Sequence, residues 1–406
     1  MSARLRKLTV ATTFGVFPPR GGGQQRIWGL YSELARAGVE VEIVALVDSG
    51  APGGVRRRAE RIVEVRVPKS PGHDDAEHAL HRAAGVPVTD IALTLLHERT
   101  PAYGEALARS ARDATAVVAS HPFAQPAIEA HCAAPLIYEA HNVEADLKGG
   151  MLQLPELVAA VRDVEGACCR EASQVTVCSQ ADGARLRELY GVDGERMVVV
   201  PNGVDATAIS FTGPDLRAER KRRLGLDATH LALFIGSWHE PNVVAARDVL
   251  EAARRLPDVR FLIVGGVGIP LADDPIPANV DLCGVVEGGF IASVLGLADV
   301  ALNPMRSGSG TNLKMLDYLL AGVPVIASPV GARGLELEPG GHYLAAEPDG
   351  LADAIEALRA EPPAVTAERV AAAHAAVRDR YAWPVIARRW LEAPQWEAVV
   401  SGAVRA

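Results

Sequence analysis

The sequence is poor in cysteine, in long apolar runs and in positive charge, and each shortage narrows what it can be. Cys132, Cys168, Cys169, Cys178 and Cys283 are odd in number, and no two have the C-x-x-C spacing of a zinc or redox site. They are expected to be reduced, mostly buried thiols of a cytoplasmic protein. No window approaches the roughly 18 uninterrupted apolar residues of a membrane span. The apolar stretch in "MSARLRKLTVATT" is too short for a signal peptide, so no stable membrane insertion is expected. Lysine and arginine number 41 against 50 acidic residues, a formal charge of −9, which argues against broad contact with nucleic acid or anionic lipid. Two basic runs, "RRRAER" (56 to 61) and "RAERKRR" (217 to 223), are read as solvated surface. No D-x-D motif follows a strand. Asp74–Asp75 and Asp273–Asp274 fall in loops, so no metal site is expected.

What is present is ample apolar material, 49% of 406 residues, enough for two or three domains. One order of elements occurs twice. "KLTVATT" reads as a buried strand, "FGVFPPRGGG" as a loop, and "QQRIWGLYSELARAG" as a helix with Ile27, Leu30, Tyr31 and Leu34 on one face. "VEVEIVAL" returns as a strand. Later "HLALFIGS", "VVAARDVLEAARRL" and "VRFLIVGG" repeat the unit. Further strands are expected at "ATAVVAS", "PLIYEA", "QVTVCS" and "MVVVP", then at "NVDLCG", "ADVALNP" and "VPVIAS". Residues 68 to 112 read as helical with a break near Gly85–Pro87. The prediction is an α/β chain of two Rossmann-like domains, 1–205 and 206–385, with a helical segment 386–406 that crosses back to the first.

The most informative stretch is "RSGSGTNLKMLDYLLAGVPVIAS" (306 to 328). Gly308 and Gly310 lead into a helix marked by Leu313, Met315, Leu316, Leu319 and Leu320, with Thr311 or Asn312 placed to cap it. Glycines before a helix allow close approach to its unpaired N–H groups, where the dipole favours an anion. Lys314 and Arg306 are expected to add charge-assisted bonds to a phosphate held there.

Together with "VPNGVD" upstream and "FIGSWHEPN" opening the second half, this stretch resembles the donor-binding half of glycosyltransferase family 4, retaining enzymes of the two-domain GT-B architecture. The resemblance implies two domains facing each other across a cleft. It also implies a nucleotide-sugar donor bound by the second domain, a small-molecule or glycan acceptor at the first, and no cofactor beyond the donor itself. In the family, two acidic residues separated by seven flank this segment; here Ser309 and Asp317 occupy those places, a degenerate pair. The family's Arg and Lys after the first strand of the second domain correspond to positions near Ser237 and Asn242, and Lys314 with Arg306 are expected as substitutes, in a subgroup with a GSGT-x-LK loop. Donor contacts are further implied at Gly22, Gly23, Gly236, Ser237, His239 and Val286, in addition to the loop residues Gly308, Ser309, Gly310, Thr311 and Asn312. In "YEAHNVEAD", His141 follows a strand at the edge where open α/β sheets bind ligands. By the family resemblance it is the catalytic residue that holds the transferred sugar, and His121 is a weaker candidate. Trp238 is expected to pack rather than stack.

The same architecture suits other work. A nucleotide-sugar 2-epimerase and a non-catalytic nucleotide-sugar-binding subunit stay open at this level. A dinucleotide-dependent oxidoreductase is disfavoured, because "GGVG" (265 to 268) lacks the full fingerprint and no ribose-binding acid follows it.

Overall fold

The computed structural model describes residues 5–286, 288–308 and 310–401. The chain divides into two compact units, residues 1–202 with 383–406, and 203–382. The breaks fall three residues before those expected, and local bonds show why. Asn202 accepts a bond from Arg26 in the first unit (Nη1 to Oδ1, 3.0 Å), whereas the Val204 N–H donates to the Tyr381 carbonyl in the second (2.9 Å).

The first unit is built on eight strands: β1 (Lys7–Thr12), β2 (Glu40–Val47), β3 (Gly54–Ala59), β4 (Ile62–Pro68), β5 (Ala116–Ser120), β6 (Leu136–Glu139), β7 (Gln174–Val177) and β8 (Met197–Val199). Their order is β3-β4-β2-β1-β5-β6-β7-β8, parallel throughout except for the antiparallel β3–β4 pair. Strands β1 and β5 are buried on both faces along almost their whole length, as covering helices require of a parallel sheet. The chain order reverses between β1 and β5, so the loops after these strands flank the crevice where such sheets take ligands. The C-terminal residues complete this unit. The helix Trp383–Leu391 lies so close to the helix Gly22–Arg36 that a Cβ on Gly29 would stand 2.2 Å from the Trp383 indole nitrogen. Trp390, buried, donates to Gln174 on β7 (2.8 Å).

The second unit has six parallel strands: β9 (His230–Ile235), β10 (Val259–Val264), β11 (Val280–Gly284), β12 (Val300–Asn303), β13 (Val325–Ala327) and β14 (Leu344–Ala345), in the order β11-β10-β9-β12-β13-β14. Here the reversal falls between β9 and β12. The helix Leu313–Leu320 is only 8 residues long, too short to hold its shape alone. Burial of Met315, Leu316, Leu319 and Leu320 secures it, each contributing about 1.5–3 kcal/mol by transfer from water.

The expected strands are present, and three more were not anticipated. β3 and the turn after it contain the first basic run, and Arg58 there pairs with Glu64, a fully buried carboxylate of β4. β14 is a two-residue edge strand with no sequence signal of its own. The second basic run also departs from a solvated face, since Arg217 and Lys221 of the helix Pro214–Arg223 are buried. Between residues 68 and 112 lie three α-helices and a short 3-10 turn, the first helix capped by Gly85 in the left-handed conformation, φ 68°. All five cysteines are free, with four buried and Cys283 half-buried. Among the described residues no helix is long and apolar enough to cross a membrane.

Candidate active site

In the second unit, the loop after β9 carries Gly236, Ser237 and His239, and the loop after β12 with the helix that follows carries Gly308, Gly310, Thr311, Asn312, Lys314 and Asp317. The loop after β9 must be tight. A Cβ on Gly236 would lie 2.9 Å from the Phe234 ring, and a Cβ on Gly265 would collide with the Gly236 carbonyl at 2.2 Å. Lys314 projects from the first turn of its helix, donates to the Asn242 side-chain oxygen (2.7 Å) and lies over the Phe234 ring, 4.4 Å from its centroid. Asn242 in turn donates to Ser237 Oγ (3.1 Å), which stands 3.0 Å from His239 Nδ1. No carboxylate pairs with Lys314 among the described residues. Burial therefore pushes its ammonium down to about 7. Asp317 sits one helical turn further on, and burial pushes its carboxyl up to about 7. The residue at the place of the family's lysine is thus an asparagine that orients a lysine supplied by another element.

Several expectations are corrected. Arg306 is not turned to the glycine loop: it forms a two-pronged bond with Asp248 (2.9 and 2.8 Å) and a second pair with Asp349. Two acids lie within reach and hold it outward. The cation that does bind the loop is Arg333, which donates to the carbonyls of Gly310 (2.9 Å) and Gly308 (2.5 Å). Nothing in the sequence around Arg333 marks it. Those contacts fix two glycines in the left-handed region, φ 137° and 62°, where a side chain would be strained. Asn312 occupies the N-cap position, yet its side chain makes no cap bond and donates instead to Asn303 (3.1 Å). Trp238 is exposed and stacks on His239, with centroids 4.3 Å apart and planes at 17°. Val286 packs, half-buried, on the apolar core of this unit, and Ser309 lies outside the described residues.

Replacing Arg306 by Ala is accordingly expected to change nucleoside-diphosphate affinity by less than about threefold, the scale of an exposed, already paired charge. Calorimetric titration of the variant checks this.

In the first unit, His141 follows β6 and is buried. Its Nε2 is 3.0 Å from Ser120 Oγ and 3.6 Å from Glu139 Oε2. His121, in a left-handed conformation at φ 66°, places its ring 4.0 Å from that of His141. Gly23 completes the corner, because a Cβ there would meet Phe14 at 3.3 Å, His121 at 3.8 Å and His141 Nδ1 at 3.9 Å. Gly22 and Gly23 are not part of a free loop: they form the first turn of the helix Gly22–Arg36, with the Gln24 side chain accepting from the Gly21 N–H (2.9 Å). The histidines are neutral at pH 7. Burial, with the neighbouring His121, pushes His141 down to about 3, and burial pushes His121 down to about 4.

Buried carboxylates hold this edge in shape, and reasoning from the sequence missed them. Glu139 accepts from Arg26 (3.0 Å) and Tyr31 (3.1 Å). Its burial favours the neutral acid, but Arg26 and His141 outweigh that and hold it down to about 2. Glu64 accepts from the Val16 N–H (2.7 Å) and Phe17 N–H (3.3 Å), anchoring the loop after β1. Glu165 accepts from the N–H groups of Glu144 (2.7 Å) and Ala145 (3.0 Å), fixing the segment after His141. A polar residue in an apolar strand or helix was the available signal. Among the described residues, no group of three or more His, Cys, Asp or Glu could hold a metal ion.

Two Rossmann-like units, each carrying polar loops at the reversal of strand order, define a GT-B protein. The Glycosyltransferase Family 4 model matches residues 20–208, and the model for glycosyl transferases group 1 matches residues 229–361. Both are models of glycosyltransferases, and between them they match most of the chain. It is similar to the D-inositol 3-phosphate glycosyltransferase of Mycobacterium avium, 29% identical over 84% of this chain and 82% of that protein. It is 31% identical to the phosphatidyl-myo-inositol mannosyltransferase of Mycobacterium tuberculosis, over 48% of this chain; the match spans about half of that protein's length, 52%. Among solved structures, sucrose-phosphate synthase from Thermosynechococcus elongatus shares the fold at a TM-score of 0.75 and 19% identity, covering 95% of this chain and 98% of the other. The Anabaena protein HepE, solved with UDP and glucose, does so at 0.70 and 16%, covering 96% and 99%.

Proposed function

We propose that this protein moves a sugar from a nucleotide-diphosphate sugar to a small-molecule or glycan acceptor, retains the anomeric configuration, and needs no divalent metal. The observation that carries the reading is Lys314: an ammonium with no carboxylate partner among the described residues, aimed by Asn242, at the start of a helix entered through two left-handed glycines. Such an arrangement suits the diphosphate of a donor. The two matching glycosyltransferase models support transfer as the reaction, UDP in the HepE structure supports a nucleotide donor, and the inositol in the relatives' names supports a hydroxyl as the acceptor group.

In the reaction, the acceptor oxygen bonds to the anomeric carbon as the bond from that carbon to the diphosphate breaks. The diphosphate leaves with the electron pair, and the acceptor's proton passes to a departing phosphate oxygen. The barrier lies in the charge on the leaving group, which helix N–H groups and Lys314 stabilise where it develops. Neutral His141 contacts the transferred sugar without adding a full charge. Asp317, in the family's second acidic position, is a hydrogen-bonding partner for the donor.

A screen of nucleotide sugars by thermal shift identifies the donor, since a ligand bound only by the folded state raises its stability. Transfer of that donor's sugar is then measured with candidate acceptors. Turnover of donor to an isomer without acceptor would indicate an epimerase, and binding without any turnover a binding subunit. Transfer is expected to persist in excess EDTA. Loss of activity restored specifically by magnesium or manganese would overturn the metal-free reading.

A further inference from the structure

We infer that the second unit holds a separate anion site, built for a small phosphomonoester, at the opposite edge of its sheet from the loops at 236–239 and 304–312. A cavity of ≈ 540 Å³ there is lined in part by Arg217, Lys221, Arg222, His230, Asp299 and Arg359. His230 begins β9 and Asp299 immediately precedes β12, which places the cavity at the N-terminal ends of the strands. Its size is in the range of small-ligand sites.

The ion pairs around it leave two arginines of its wall without a carboxylate partner among the described residues. Lys221 is engaged by Asp299 (2.5 Å) and by the Thr229 carbonyl (2.6 Å). Arg359 is engaged by Asp258 and Glu356, each at 2.7 Å. Glu361, also on the cavity wall, is engaged by Arg369 (2.8 Å) and Thr366 (2.6 Å). Arg217 is different. It is only 5% exposed, and its Nη2 donates to the carbonyls of Thr212 (3.0 Å) and Gly322 (2.7 Å), with no carboxylate in ion-pair contact. Its buried Nε has no partner among the described residues, and neither has the buried Nε2 of His230. Arg222 is exposed, and its side chain makes no hydrogen bond or ion pair among the described residues. Against Arg217 and Arg222 stands one unengaged lining carboxylate, the exposed Asp227.

A buried donor left unmade is costly, and two of them on residues of one wall, beside guanidinium groups that have no ion-pair partner among the described residues, suit a tetrahedral oxyanion. Guanidinium forks match phosphate oxygens, and the imidazole N–H supplies a further donor. The cavity exceeds the size of phosphate alone, and its wall includes the apolar Pro324 and Leu358, which accommodate a short organic group.

The test is calorimetric titration of the full chain, carrying Lys314→Ala so that the 308–314 loop does not contribute, with inorganic phosphate and with glycerol 3-phosphate. Both are expected to bind. Arg222→Ala, at an exposed and unpaired position that leaves the melting temperature unchanged, is expected to weaken both by about tenfold, the lower end for a hydrogen bond to a charged group. His230→Gln, read the same way, is expected to weaken both. No binding of either probe up to about 50 mM, well above the millimolar range of weak ligands, would overturn the site, as would equal affinity with and without Arg222. Binding of phosphate with none of glycerol 3-phosphate would overturn the phosphomonoester assignment.

Discussion

His141→Ala is expected to lower kcat by about 10²-fold or more, while nucleoside-diphosphate affinity and melting temperature stay close to those of the parent. The magnitude is that of removing a positioned polar group from a reacting centre. Only contacts that strengthen in the transition state raise turnover, and on the proposed reading those of His141 go to the sugar, which a nucleoside diphosphate lacks. The stability side follows from the structure. His141 is neutral, and Glu139 keeps Arg26 as its charge partner when the imidazole is removed. A His141→Gln variant, which retains a hydrogen-bonding group of similar reach, should recover part of the turnover. Full activity in His141→Ala, or joint loss of nucleotide binding and stability, would make the residue a structural cap at the end of β6.

Lys314→Ala is expected to weaken nucleoside-diphosphate binding by about 1.5–3 kcal/mol, the worth of a hydrogen bond to a charged group, which is about 10- to 150-fold. The shift of the amine to about 7 adds a pH signature. Diphosphate binds the protonated form and raises the pKa of the bound lysine. Affinity is then flat below pH ~7 and falls as pH rises above it, by up to about tenfold per unit, until the bound-state pKa is reached. A nucleotide sugar is the probe for this profile, because its diphosphate does not titrate in that window. The variant should show neither the affinity nor the slope. A slope that persisted in Lys314→Ala would assign it to another group, and unchanged affinity would remove Lys314 from the site.

Much of the fold was legible because it rests on local patterns. Runs such as "KLTVATT" and "HLALFIGS", each followed by a turn and a helix with apolar residues at i, i+3 and i+4, determined the paired βαβ units. Gly308 and Gly310 before Leu313–Leu320 marked the loop, since left-handed backbone there excludes side chains. The hairpin β3–β4 was hidden because its arginines are balanced by Glu64 across the strand pair, a compensation visible only once both strands lie side by side.

The assignment of charges belonged to the tertiary structure. Arg306 and Arg333 are alike in sequence, each an arginine near a glycine. Arg306 meets Asp248 from a distant helix and is held away, whereas Arg333 meets two loop carbonyls. Lys314 was identifiable by its place in a first turn. Its lowered proton affinity was not, because that depends on Asn242 and Phe234 arriving from the helix after β9 and from β9 itself, with no carboxylate pairing it among the described residues. Sequence spacing by itself determined which residues stand at the carboxyl ends of the strands. Which cation faces an anion there, and in what protonation state, was decided by the neighbours that folding brings in, since Coulomb and desolvation energies depend on distance and burial rather than on order along the chain.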